Sequence, residues 1–115
     1  MYLIPAVFFG SSLPATLEAH PDVAADCVCV IAVHISDVAR TIELLEPPGS
    51  VRVEPWPGGA DFVVGFPDVA TWEAVVAAPE TMATLVDAGT IDTGDAPYGA
   101  QVLGRLITLV REDAP

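Results

Sequence analysis

The sequence predicts one α+β domain, residues 1–115, with a mixed, mostly antiparallel five-stranded sheet and helices packed on one face of it. Three observations predict this class. Runs rich in β-branched residues occupy the stretch from Cys27 to Phe66. Apolar residues at helical spacing take over from Asp68 onward. No repeat, linker or low-complexity tract divides the 115 residues, a length typical of one domain. With 52% of its residues apolar, the chain has enough material for a core to offset its conformational entropy, which excludes disorder.

The elements follow in order. Met1 to Gly10 (MYLIPAVFFG) is apolar but has no basic residue and is interrupted by Pro5 and Gly10. It is also far shorter than the ~20 residues that span a bilayer. It therefore reads as part of the folded domain, its aromatics packed on the core or on a partner. The protein is expected in the cytoplasm, with no stable membrane insertion. Ser11 to Asp26 reads as mostly irregular around a short helix near Pro14 to Ala19. Cys27 to Ile35 (CVCVIAVHI) is almost continuously apolar and reads as a strand buried on both faces. Arg40 to Leu45 is the next apolar run, stopped by Pro47-Pro48-Gly49. Ser50 to Glu54 alternates with period two, and Ala60 to Phe66 is a further strand after a turn at Pro55 to Gly59, so this half reads as a meander.

Asp68 is a good N-cap for a helix with Val69, Trp72, Val75 and Val76 on one face. Pro79 suits the first position of a second helix carrying Met82, Leu85 and Val86, with Gly89 as its stop. Thr90 to Thr93 reads as the fifth strand, and Gly94-Asp95 turns the chain into a last helix from about Pro97 to Arg111. On that helix Tyr98, Val102, Leu103, Leu106, Ile107, Leu109 and Val110 fall within an arc of about 180°, wider than the roughly 100° that packing on one sheet uses. Another helix, a partner chain or a bound apolar molecule must cover the surplus.

Charge excludes whole classes of partner. Sixteen acidic residues stand against four arginines and no lysine, a formal net charge of −12. Nucleic acid needs a basic footprint and anionic membranes attract Lys/Arg clusters, so neither is a partner. The lysine-free, Ala/Val/Pro/Asp-rich composition resembles that of bacterial proteins from GC-rich genomes.

No constellation of catalytic or metal-ligating residues emerges. Cys27 and Cys29 share one face of a strand with nearly parallel side chains, a poor geometry for a mutual disulfide. His34 lies an odd number of residues from both, so it points the other way and completes no metal site. His34, Ser36 and Asp37 look like a nucleophile triad only superficially, because no sharp glycine turn presents the serine. Asp87, Asp92 and Asp95 lack the spacing of a calcium loop, and Gly58-Gly59 lacks the pattern of a phosphate loop. No enzyme activity, metal or cofactor is expected.

Three stretches carry a resemblance. Ala60-Asp61-Phe62-Val63-Val64 followed by Asp68-Val69-Ala70-Thr71-Trp72, then Met82 to Gly89 (MATLVDAG), then Gly89-Thr90-Ile91-Asp92-Thr93-Gly94-Asp95 leading into an apolar helix, are similar to the sterol carrier protein 2 (SCP-2-like) family. The resemblance covers about Cys27 to Val110. It implies non-catalytic binding of a small apolar ligand, sterol-like, acyl or isoprenoid, in a cavity between sheet and helices. Trp72, Val76, Met82, Leu85, Val86, Leu103, Leu106, Ile107 and Val110 would line that cavity, or else form a close-packed core. The alternative is a ligand-free homodimeric accessory domain on the same scaffold. Self-association is expected in either case, because Cys27 to Ile35 is apolar on both strand faces. The second face then needs cover from the N-terminal segment (Tyr2, Leu3, Ile4, Val7, Phe8, Phe9) or from a second copy.

Overall fold

A computed structural model describes residues 3–113. Its first quarter is helical almost throughout. Helix α1 (Pro5–Val7) runs into a π-helical turn (Phe8–Ser12), then into α2 (Leu13–Ala19), and α3 (Asp22–Asp26) follows after His20 and Pro21. The sequence pointed only to Pro14 to Ala19. Gly10 lies within the π-helical turn and Pro14 just after it, where the wider bonding of that turn (the Leu13 N–H donates to the Phe8 carbonyl) carries the chain into α2. Phe8, Phe9, Leu13 and Leu17 are all buried by this arrangement. Tyr2 lies outside the described residues.

Four strands form the sheet: β1 (Val30–Ile35), β2 (Val38–Glu43), β3 (Ser50–Arg52) and β4 (Phe62–Phe66). Their order is β3-β2-β1-β4, antiparallel except where β4 lies parallel to β1. The meander therefore ends at β3, and the chain crosses the sheet to place β4 on the far side of β1. Asp61 fixes that junction, since its backbone N–H donates to the Val30 carbonyl and its carboxylate accepts from the Val30 N–H at 2.8 Å.

The expected fifth strand, Thr90 to Thr93, is reduced to one antiparallel bridge between Asp92 and Gly65. Gly89 and Gly94, both at positive φ, bracket the segment and leave no length for a ladder. The first strand begins at Val30 instead of Cys27, because Cys27 closes α3 and the next residue, Val28, is 60% exposed. The second strand starts two residues earlier than Arg40, at Val38, and ends at Glu43.

Three helices follow. The Asp68 carboxylate caps α4 (Val69–Ala77) by accepting from the Thr71 N–H at 2.7 Å, as the sequence indicates. Val69 departs from the expected stripe and is exposed, whereas Trp72, Val75 and Val76 are buried. Helix α5 starts at Thr81, two residues after Pro79, and ends before Gly89. Helix α6 (Tyr98–Asp113) is the longest. It packs on α2, α4, α5 and β4, which bury Val102, Leu103, Leu106, Ile107 and Val110 of its wide apolar arc and leave Leu109 half-buried and Tyr98 exposed. Among the described residues no helix is long and apolar enough to cross a membrane.

Side chains of Ile31, Val33, Ile35, Ile42, Val64 and Phe66 point from the sheet into the core beneath these helices. Trp72 is its centre and is fully buried. Its indole stacks on Phe9 at 5.3 Å, meets Phe8 and Phe66 edge-on, and donates from Nε1 to the Leu3 carbonyl at 2.9 Å. The N-terminal segment thus packs on the helix side and leaves the second sheet face alone. On that second face Val30 and Thr41 are buried, and Thr41 donates to the Glu54 carbonyl in the β3–β4 connection. His34, Ala39 and Val63 on the same face are exposed.

Candidate functional site

The nine residues singled out for a ligand cavity divide into two groups. Trp72, Val76, Leu103, Leu106, Ile107 and Val110 lie in the closed core, each at most 2% exposed. Met82, Leu85 and Val86 lie on α5, and two of them, Met82 and Val86, line a groove of about 330 Å³ between α5 and α6. The other lining residues are Pro79, Glu80, Ala83, Asp87, Pro97, Ala100, Gln101 and Gly104.

Local sequence explains the opening. Ala100 and Gly104 are one helical turn apart on α6 and present little or no side chain to α5, so the two helices meet with space between them. Nothing lies within 4 Å of where a Cβ on Gly104 would stand. The groove continues past Pro79, Glu80 and Gly104 into a more polar stretch bounded by Arg105, Thr108 and Arg111. A rise of ~1.5 Å per residue puts Ala100 and Arg111 roughly 16 Å apart along α6. Gln101, Gly104 and Arg105 fall outside the apolar arc of α6. The usable signal was the pair of small residues, Ala100 and Gly104, at that arc's border.

The groove is walled mainly by apolar side chains. Met82 supplies a flexible thioether that adapts to different shapes. Glu80, Gln101 and Arg105 are the polar residues at its rim. Arg105 is held by Asp26 at 3.6 Å and by the Cys27 sulfur at 3.4 Å.

Of the titratable groups weighed in the sequence, Asp87 lines the groove and Cys27 touches Arg105 at its polar end. Cys27 and Cys29 are both buried and free. Burial, then the neighbouring Cys27 and Asp61, pushes the Cys29 thiol up to about 11, so it stays protonated. His34 is exposed on the outer sheet face, and Ser36 sits in the β1–β2 turn at φ 56°. His20 pairs with Asp113 at 3.1 Å at the surface. The Asp92 carboxylate accepts from the Gly94 N–H at 2.9 Å and so closes a turn. Among the described residues no three of His, Cys, Asp and Glu gather to hold a metal ion. Treatment with a chelator and a reductant together is expected to leave the melting temperature unchanged. A drop of several degrees in a thermal melt would show a structural metal or disulfide.

No protein-family model matches the sequence, and no curated protein matches it. Solved structures do. The apo form of sterol carrier protein 2 from Yarrowia lipolytica superposes with a TM-score of 0.70 at 12% identity, covering 98% of this chain and 100% of its own. The UbiJ-SCP2 ubiquinone synthesis protein gives 0.69 at 17% identity, covering 97% of this chain and 98% of its own. Sterol carrier protein domain 2 of Helicoverpa armigera gives 0.65 at 12% identity, over 97% and 95% of the two chains. At such identities the likeness is one of architecture, and it extends over nearly the whole chain, N-terminal helices included. The chain has the fold of the sterol carrier protein 2 domains.

Proposed function

We propose that this protein binds a small apolar molecule (a sterol-like, acyl or isoprenoid lipid) in the α5–α6 groove without transforming it, as a carrier or storage module. One observation carries the reading: an apolar groove of about 330 Å³ lies between two helices whose facing residues include Met82, Val86, Ala100 and Gly104. That volume is at the lower end of the ~300–1,000 Å³ of small-molecule sites. The two free buried cysteines fit a reducing compartment such as the cytoplasm.

Gly104→Phe tests it. A Cβ there meets open space, so the ring fills the groove without displacing the core. A fluorescent sterol and a fluorescent fatty acid, titrated separately, are the probes. Saturable binding of either one, lost in Gly104→Phe while the melting temperature holds, supports the reading. Equal binding by the variant, or no binding of either probe, refutes it.

The alternative, a ligand-free homodimeric accessory domain, draws support from the outer sheet face. Val63, 41% exposed, leaves apolar surface open there, on the same face as the exposed Ala39. A second copy would bury that surface.

A further inference from the structure

A second pocket lies on the other side of the molecule, and its charge is unusual for this chain. It measures about 250 Å³ and sits where the N-terminal helical segment crosses the β2–β3 edge of the sheet. Phe9, Pro14, Val51 and Val53 give it apolar walls, and Arg40 and Arg52 are its charged lining residues. No carboxylate lines it, although the chain carries 16 acidic residues against four arginines.

Arg40 is the anchor. It is half-buried, on the same side of the sheet as Val51, and one guanidinium nitrogen donates to the Ala39 carbonyl at 2.7 Å. Among the described residues no carboxylate comes within ion-pair distance of it. A guanidinium has five N–H donors in a planar fork, so most of those on Arg40 remain for a ligand. Arg52 is engaged more loosely, 3.8 Å from the exposed Glu54 and with its guanidinium carbon 5.2 Å from the centre of the Trp56 ring. A half-buried cation over apolar walls attracts an anion that has an apolar body. The volume is below the range typical of drug-sized ligands, which restricts that body to a few carbons.

From these features we propose that the Arg40 pocket binds a small organic carboxylate, a short acyl or aryl acid, independently of the α5–α6 groove. The carboxylate pairs with Arg40, and the hydrocarbon lies against Phe9, Pro14 and Val51.

Amide-resolved NMR titration tests this with hexanoate, its neutral counterpart hexanamide, and sodium acetate. Hexanoate is expected to shift the amides of Gly10, Val51 and Val53 saturably, with hexanamide and acetate at least about tenfold weaker, the loss typical of a charge-assisted hydrogen bond or of the apolar contact. Arg40→Gln is expected to weaken hexanoate by a similar factor while its spectrum stays folded. Gly104→Phe leaves the titration unchanged, which separates this pocket from the groove. Equal binding of hexanamide, full binding by Arg40→Gln, or shifts confined to α5 and α6 would overturn the proposal. So would no saturable shift at all.

Discussion

Trp72→Ala is expected to lower the stability of the domain by about 3–5 kcal/mol, the range for truncating a buried aromatic to alanine. The indole is fully buried and touches every layer that meets at the core. Phe8 and Phe9 come from the N-terminal π-helical turn, Phe66 from β4, and the Leu3 carbonyl accepts the indole N–H. Truncation leaves a cavity between these elements and removes the donor to the partly buried Leu3 carbonyl, which adds to the loss. Urea unfolding gives the measurement, with the midpoint falling at unchanged slope. A variant as stable as the parent would show that the N-terminal segment is not docked on α4. Trp72→Phe keeps most of the ring but loses the donor, so it is expected to fall between the two.

The second large effect sets two glycines of one helix against each other. A Cβ on Gly99 would stand 2.5 Å from Cβ of Phe62 on β4, closer than real Cβ contacts come. Gly99→Ala therefore pushes the first turn of α6 off the sheet, at a cost of roughly 1–3 kcal/mol for overpacking. The better helix propensity of alanine offsets about 1 kcal/mol of that. At Gly104 nothing lies within 4 Å, so Gly104→Ala has only the propensity term and is expected to stabilise by up to about 1 kcal/mol. The opposite signs are the point of the comparison. A Gly99→Ala variant as stable as the parent or more stable in urea would show that α6 does not pack that closely on β4; destabilisation by Gly104→Ala would show that its site is not open.

Much of the fold was legible because its signals are local and redundant. The Asp68 cap, the Trp72–Val75–Val76 stripe and the Gly89 stop each follow from short-range chemistry, and each is where the sequence put it. Of the N-terminal helices the sequence indicates only α2, near Pro14 to Ala19, because the cause of the others is tertiary. Phe8, Phe9 and Leu13 are helical in order to reach Trp72 and the core, against the local discouragement of Gly10 and Pro14. The parallel pairing of β4 with β1 was also hidden, since the composition of Ala60 to Phe66 reports a strand but not its neighbour. The fifth strand failed for want of length between Gly89 and Gly94.

The site was less legible than the fold. Apolar periodicity identifies residues that leave water, and it treats a packed core and a cavity wall alike. Leu103 and Leu106 therefore looked as suitable as Met82, although they are fully buried against other side chains. The groove is made by what α6 lacks at Ala100 and Gly104, and a missing side chain carries no hydrophobic signal. Arg40 was invisible for another reason. Its environment comes from the N-terminal segment and β3 together, distant in sequence from each other.

Native mass spectrometry of gently purified protein tests the central claim most directly, because it weighs bound ligand and stoichiometry in one spectrum. The expected result is a species heavier than the 12.0 kDa chain by the mass of a small apolar molecule, lost after organic extraction and regained when lipid is offered. In Gly104→Phe the added mass is expected to be absent. A bare chain that takes up neither sterol nor fatty acid would contradict the account, and only a bare chain found paired would favour the dimeric accessory domain.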